Sequence, residues 1–377
     1  MVGLVALRCL LLTVQLSRLP ADVSGHWIAN DAVRFHSIAT SPGQVWRDFE
    51  VEFPPLTVAL LDAGAGSDPR ATAVRLAWLQ FGFDLAVVGA MTWAWGARSA
   101  VAYLLISLPL VPFIFFRLDL LSVALAIGAM ALVSKGAPLA GGLVLSGAVF
   151  TKFWPAVLAI GLAAQRRWRA LVAFGAATGV GLVVWTGLAG ADALRQVATF
   201  RGSRGWQIES AVGSVLLRFS DRPVVWEGDA NRIGTAAGAR PALTLALIAG
   251  LVAIGLLAHR RGVGDVGVVS LASVTLLLLA APILSWQYLI WLAPWAALAW
   301  IEGERVPALV TATAIALTAP LIPLGVELTE RRPLATNLLM LRNLTLVALL
   351  IVCAAALSLR NSPRWETGSG EPQPTLD

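Results

Sequence analysis

The chain has 377 residues, 58% of them hydrophobic and 13% charged, with a formal net charge of +6. A soluble domain carries about 25% charged residues, so the composition excludes a soluble globular domain. The apolar runs are continuous and do not alternate, which excludes a membrane β-barrel as well. The basic balance would suggest nucleic acid in a soluble protein. Here the arginines stand at the ends of apolar runs, where they set topology and meet anionic head groups, and no nucleic-acid partner is expected.

Residues 2–16 are apolar but short, and Arg8 interrupts them. They show no clear basic n-region or small-residue cleavage site of a signal peptide. They read as a short first span, to which residues upstream of this start would belong. The polar passage 17–70 follows as a first outer loop. Its stretch 31–56 reads DAVRFHSIATSPGQVWRDFEVEFPPL, with carboxylates at Asp31, Asp48, Glu50 and Glu52 beside Arg34, His36, Trp46 and Arg47. An acidic loop pinned against a membrane bundle suits acid–base chemistry at the membrane surface.

Spans are then expected over 71–95 and 99–116, joined by a basic turn at 96–98, and from Asp119 to Val133. The segment 138–164 is broken by Lys152-Phe153-Trp154-Pro155. Read as a hairpin of two half-spans, it puts Lys152 at its tip. Irregular backbone at membrane depth is tolerated where protein or a water-filled cavity surrounds it. The hairpin also sets 165–169 on the same side as Arg98, Lys135 and 259–261. Short basic loops on one side are the cytoplasmic signature.

A span over 170–188 leads to a second outer loop, 191–240, in which 211–219 is too short to cross and reads as an interfacial helix. Further spans are expected at 241–258, 265–284, 287–300, 306–324 and 334–357. The Pro-, Gly- and Ser-rich end, 360–377, reads as a disordered cytoplasmic tail. The expected fold is all-α and polytopic: one membrane domain, 1–359, of about 12 transmembrane or half-spanning helices, both ends inside, with a catalytic first outer loop. Cys9 and Cys353 lie in apolar spans and read as small buried hydrophobes. His26, His36 and His259 have no metal-ligand spacing.

The series DAVRFHSIA, RDFEVEFPPL, RLDLL, TKFWP, RGWQIES and WQYLIWLAPWAAL runs in that order from Asp31 to Leu298. It resembles the family 87 glycosyltransferases, integral-membrane enzymes of the GT-C type that use polyprenyl-phosphate-mannose. Each motif alone is weak; their order and spacing carry the likeness. Phe35 and Phe53 depart from it, because the family usually has Tyr at both places. The loss of a hydroxyl alters substrate contacts and leaves the fold alone. The resemblance implies an acidic residue just after the first span, matched by Asp31, and chemistry without a bound divalent ion. No metal and no cofactor is expected.

A sugar held on a lipid phosphate already carries a good leaving group. Transfer then needs one carboxylate to take the proton from the attacking hydroxyl, and cations for the departing phosphate. Asp31 is the candidate base; Asp is also a good N-cap for a helix starting at Ala32. Asp48 and Glu52 come second, either ordering the loop through Arg47 or Arg34 or touching the acceptor. Lys152, Arg117 and Arg201 are the candidate phosphate ligands, with Arg204 in reserve. Against Arg117 stand snorkelling and a structural pair with Asp119. Trp46 and Trp206 flank polar motifs and offer faces for a sugar. Gln207, Glu209, Gln287 and Tyr288 could hydrogen-bond its hydroxyls, weighed against plain interface packing. Asp84, inside a span, reads as a buried polar contact.

These residues, with the resemblance, imply an inverting glycosyltransferase of the cell membrane with its site on the outer face. The donor would be polyprenyl-phosphate-mannose and the acceptor a hydroxyl of a cell-envelope glycolipid or glycan. The rival is a transporter or flippase of lipid-linked sugars, which would place polar sites near the midplane in paired broken helices.

Overall fold

The computed structural model describes residues 1–26, 28–261 and 266–358. The tail expected at 360–377, and the first residue of the span expected at 265–284, lie outside the described residues. Inside lipid a continuous apolar run satisfies its backbone N–H and C=O groups only as helix. Among the described residues, five helices are long and apolar enough to cross: Pro69–Trp95, Trp168–Ala189, Arg240–Arg260, Arg305–Thr329 and Pro333–Ser358. A further crossing is bent, with Ala97–Ile106 and Leu108–Ile114 meeting at 47°. Pro109 and Pro112 fall in its second half, and each removes an N–H that a straight helix would use. Shorter apolar helices complete the bundle: Val2–Ser17, Pro55–Gly64, Leu120–Ser134, Pro138–Thr151, Trp154–Ala164 and Val266–Ala280. The chain is an α-helical, multi-pass membrane protein.

Trp168–Ala189 shows why lipid is the outer solvent. It exposes Val172, Val180, Val183, Val184 and Leu188, a face that would not persist in water. Glycines bring its other face close to Pro138–Thr151. A Cβ on Gly142 would lie 2.2 Å from the carbonyl oxygen of Ala170, and one on Gly181 2.4 Å from the Phe150 ring. The two helices therefore run parallel. Trp154–Ala164 must return the chain to the level from which Pro138 set out, so the expected hairpin is present with Lys152 at its turn. Lys152 is extended (φ −155°, ψ 145°), which ends the helix there.

The first helix is fixed by charge. The Arg8 guanidinium donates from Nη1 to both oxygens of Asp84 at 2.8 and 2.7 Å, and from Nη2 to the Leu104 carbonyl and the Ser107 hydroxyl. Tyr103 donates its hydroxyl to Asp84 at 2.5 Å. Arg8, Asp84 and Tyr103 are all fully buried. Asp84 is the buried polar contact that the sequence suggests.

The second polar loop, 191–240, contains three short strands that the all-α reading lacks: β1 (Trp206–Gln207), β2 (Val224–Glu227) and β3 (Ala230–Ile233), antiparallel in the order β1-β3-β2. Gly228 and Asp229 have φ of 56° and 55°. Positive φ at both central residues is the two-residue turn that matches strand twist. The helix Ala211–Phe219 follows β1 with the expected bounds, and Ser210 accepts the Gly213 N–H at its start.

The bundle has two chemically distinct ends. Leu120–Ser134 separates Asp119 from Lys135 by about 22 Å at 1.5 Å per residue. The bent crossing separates Arg98 from Arg117 in the same sense. At one end lie short basic turns; at the other lie the two polar loops and the tip of the hairpin.

Candidate active site

The polar end closes around a cavity of about 120 Å³. Its walls include Asp31, Arg34, Glu52, Arg117, Asp119, Lys152, Gln207, Asp229, Arg232, Ser285, Gln287 and Tyr288. Seven of these, Asp31, Glu52, Arg117, Lys152, Gln207, Gln287 and Tyr288, are sequence candidates, drawn together from five separated stretches of chain.

Asp31 is the first residue of the helix Asp31–Thr40, whose N-cap position is Asn30, so it does not serve as the cap. It meets the Arg117 guanidinium instead, with about 40% of the side chain exposed. Arg117 is buried, stands in the turn after the bent crossing, and lies 4.3 Å from the centre of the Phe113 ring. The alternative weighed for Arg117, a pair with Asp119, is absent among the ion pairs of the described residues; Asp119 belongs to Lys152. The Lys152 ammonium is 2.7 Å from Asp119 Oδ1 and lies over the rings of Tyr288 and Trp291. Tyr288 stacks on Trp291, and Trp291 on Trp154.

Glu52 is buried, with Arg34 at 2.9 Å and Arg201 at 3.3 Å. Arg201 also holds Asp229 at 2.5 Å, which ties the acidic loop to the turn between β2 and β3. Two further links seat that loop. The Thr57 hydroxyl donates to the Thr151 carbonyl at 2.6 Å, and Gln196 binds the Val51 N–H and the Trp46 carbonyl. Gln207 is clamped by the Leu284 N–H and the Ser285 hydroxyl, both at 3.1 Å.

The remaining candidates stand off the cavity. Asp48 is exposed and accepts the Gln44 N–H at 2.6 Å, so it shapes its own loop. Arg204 is exposed, and its backbone N–H donates to Glu227. Trp46 packs edge-on against Trp185 and donates to the Phe53 carbonyl. Trp206 is buried in the small core under the sheet and donates to the Thr235 carbonyl. Glu209 is buried beside Arg342, with Oε2 unpartnered. Burial pushes its carboxyl up to about 7, against the pull of its own backbone N–H and of Arg342.

Sequence reasoning passed over Arg34, Asp119, Asp229 and Arg232 as site residues. Arg34 and Asp119 lie within motifs already singled out, and each is one helical turn or less from a chosen residue. The Gly228-Asp229 pair between two runs rich in β-branched and polar residues is a hairpin signal that would have placed Asp229 and Arg232. Among the described residues, no group of three or more His, Cys, Asp and Glu side chains is placed to hold a metal ion.

No family model matches the chain, and no curated protein matches it. Two solved structures resemble it over 94% of its length and 77% of theirs, each at 15% identity. One is ArnT from Cupriavidus metallidurans in the apo state, with a TM-score of 0.48. The other is ArnT from Cupriavidus metallidurans bound to undecaprenyl phosphate, with a TM-score of 0.44. Likenesses this low show neither a shared family nor a shared activity.

Proposed function

We propose that this chain is an inverting membrane glycosyltransferase of the GT-C type. It moves a sugar from a polyprenyl phosphate to a hydroxyl of a cell-envelope glycolipid or glycan. The carrying observation is the contact between Asp31 and Arg117 on the wall of a cavity lined by four carboxylates and four cations. Asp31 is a half-open carboxylate that an incoming hydroxyl can reach. In the step proposed, the acceptor oxygen attacks the anomeric carbon and its proton passes to Asp31. The bond from that carbon to the phosphate oxygen breaks, and the electron pair leaves with the phosphate. Attack opposite the leaving group inverts the configuration. Arg117 and Lys152 lie where the departing charge needs donors, while Gln207, Gln287 and Tyr288 supply polar atoms for a sugar.

The family 87 resemblance of the motif series adds the finer terms: mannose as the sugar, an α-linkage as the product, and the outer face of the plasma membrane as the place. Against the transporter stands Asp84. The acid inside a span is taken up by Arg8 and Tyr103, while the polar side chains of the cavity gather at one end of the bundle.

The test is transfer of labelled mannose from synthetic polyprenyl-phosphate-mannose in proteoliposomes, with a panel of envelope glycolipid acceptors. Wild type should transfer. Asp31→Asn should not, and should still bind donor. Full activity in Asp31→Asn overturns the base assignment. Absence of transfer with any donor, together with flux of a lipid-linked sugar, overturns the class.

A further inference from the structure

Among the described residues, every cation on the cavity wall but one meets a carboxylate. Asp31 holds Arg117, Asp119 holds Lys152, Glu52 holds Arg34 and Asp229 holds Arg201. Arg34, Arg117 and Lys152 are thus the paired cations of the wall, Arg201 lies off it and meets both Glu52 and Asp229, and Arg232 on β3 is the wall's fourth cation. Arg232 is fully buried, and among the described residues it makes no ion pair. Its Nε donates to the Glu227 carbonyl at 2.9 Å and its Nη1 to the Gly205 carbonyl at 3.1 Å. Its Nη2 is buried with no hydrogen-bond partner. The nearby Glu227 carboxylate is committed elsewhere, accepting the Arg204 and Gly205 N–H groups at 3.0 and 3.1 Å.

A guanidinium keeps its charge at any ordinary pH. Burying it beside two carbonyls and leaving one N–H face empty carries a desolvation cost that the nearby Glu227 charge offsets only in part. Such an arrangement suits a ligand that brings the anion with it. We propose that Arg232 is the anion anchor of the cavity, and that its Nη2 face receives a phosphate oxygen of the lipid-phosphate donor. This rests on the donor class proposed above.

The charge count fits that donor. A sugar–phosphate–lipid diester carries one negative charge, and Arg232 is, among the described residues, the one wall cation that meets no carboxylate. Cleavage raises the phosphate toward two negative charges while Asp31, on taking the acceptor proton, becomes neutral. Arg117 then loses its carboxylate and is free to turn to the phosphate. Charge balances at both stages: Arg232 alone meets the diester, and Arg232 with Arg117 meets the monoester.

Equilibrium binding in nanodiscs tests this without turnover. The probes are polyprenyl phosphate and polyprenol of the same chain length, and the readout is the ratio of their affinities. Wild type should favour the phosphate. Arg232→Gln should cut that preference about ten- to a hundredfold, the worth of a hydrogen bond to a charged group, and leave polyprenol affinity unchanged. Arg195→Gln, at an exposed pair with Asp192, should match wild type. An Arg232→Gln protein that keeps the wild-type preference overturns the anchor. So does one that loses polyprenol and phosphate alike, because Arg232 would then be only a clip for the sheet. A wild type with no preference for phosphate overturns the donor class itself.

Discussion

Trp291 donates its indole N–H to the same oxygen of Asp119 that meets the Lys152 ammonium, both at 2.7 Å. Asp119 is buried and Lys152 nearly so. The turn of the hairpin is thus held by one carboxylate at the start of Leu120–Ser134. Asp119→Asn keeps an acceptor for Trp291 but strands a buried ammonium. It should lower stability by about 3 kcal/mol, read as denaturant unfolding in detergent micelles. Trp291→Phe should cost about 1 kcal/mol for its hydrogen bond. An Asp119→Asn protein as stable as wild type would remove the pair from the account of how Lys152 is placed.

The Arg8–Asp84 pair predicts a double-mutant cycle of strong coupling. Either partner left alone is an uncompensated charge among apolar helices. Arg8→Met or Asp84→Leu should each cost about 3–5 kcal/mol. The double variant should recover most of that, less about 1 kcal/mol for the Tyr103 hydroxyl left without its acceptor. Simple addition of the two single losses would show that the pair does not act as a unit.

Glu209 predicts a pH slope. In the folded protein its carboxyl keeps a proton to about pH 7, because burial raises it from 4.5. The unfolded chain gives that proton up near 4.5. Between those values the folded state binds more protons, so stability falls as pH rises. The contribution is complete below about 4.5 and gone above about 7. Glu209→Gln should flatten this part of the curve, raising the melting temperature relative to wild type at pH 8 more than at pH 4. A slope unchanged by the substitution would assign the pH dependence elsewhere.

Gly142 predicts a steric cost. Alanine there would place its Cβ 2.2 Å from a backbone oxygen, which cannot swing aside as a side chain can. Gly142→Ala should destabilise by about 1–3 kcal/mol through forced separation of the two helices. Gly175→Ala, which meets nothing within 4 Å, should stabilise by up to about 1 kcal/mol through helix propensity. Melting temperatures of the two variants give the comparison, and equal shifts would count against close packing at Gly142.

The five long spans were legible because long apolar runs have one backbone solution in lipid, whereas 287–300, expected as one span, is split between a 3-10 turn, Trp286–Trp291, and the short helix Ala293–Ile301. The hairpin at Lys152 was legible because lysine followed by Phe-Trp-Pro does not continue a helix. Asp31, Glu52, Arg117 and Lys152 emerged because polar groups beside apolar runs are conspicuous. Partner choice was not legible. Asp119 stands two residues from Arg117 yet serves Lys152, since the turn points the two side chains apart. The four-residue strands carrying Arg232 are too short for periodicity to speak, and only the Gly228-Asp229 turn betrays them. Trp46, Trp206, Asp48 and Arg204 look alike in sequence to residues of the cavity. Their side chains or backbone instead satisfy local carbonyl, amide and ring partners, a competition that only three-dimensional placement resolves.

The contact between Arg8 and Asp84 also favours joint membrane insertion of the two helices. A lone arginine or aspartate at the middle of a helix opposes membrane insertion by about 2.5–3.5 kcal/mol. Each of these two helices carries one such residue, and 76 positions separate them. The first helix is neutralised only once Pro69–Trp95 stands beside it. The two then enter as a matched pair, and the intervening loop is cinched into a closed ring as they do. Asp31 lies on that ring, so its delivery to the membrane surface is a by-product of insertion. A nascent chain arrested before residue 84 would hold its first helix at the interface and have no site at all.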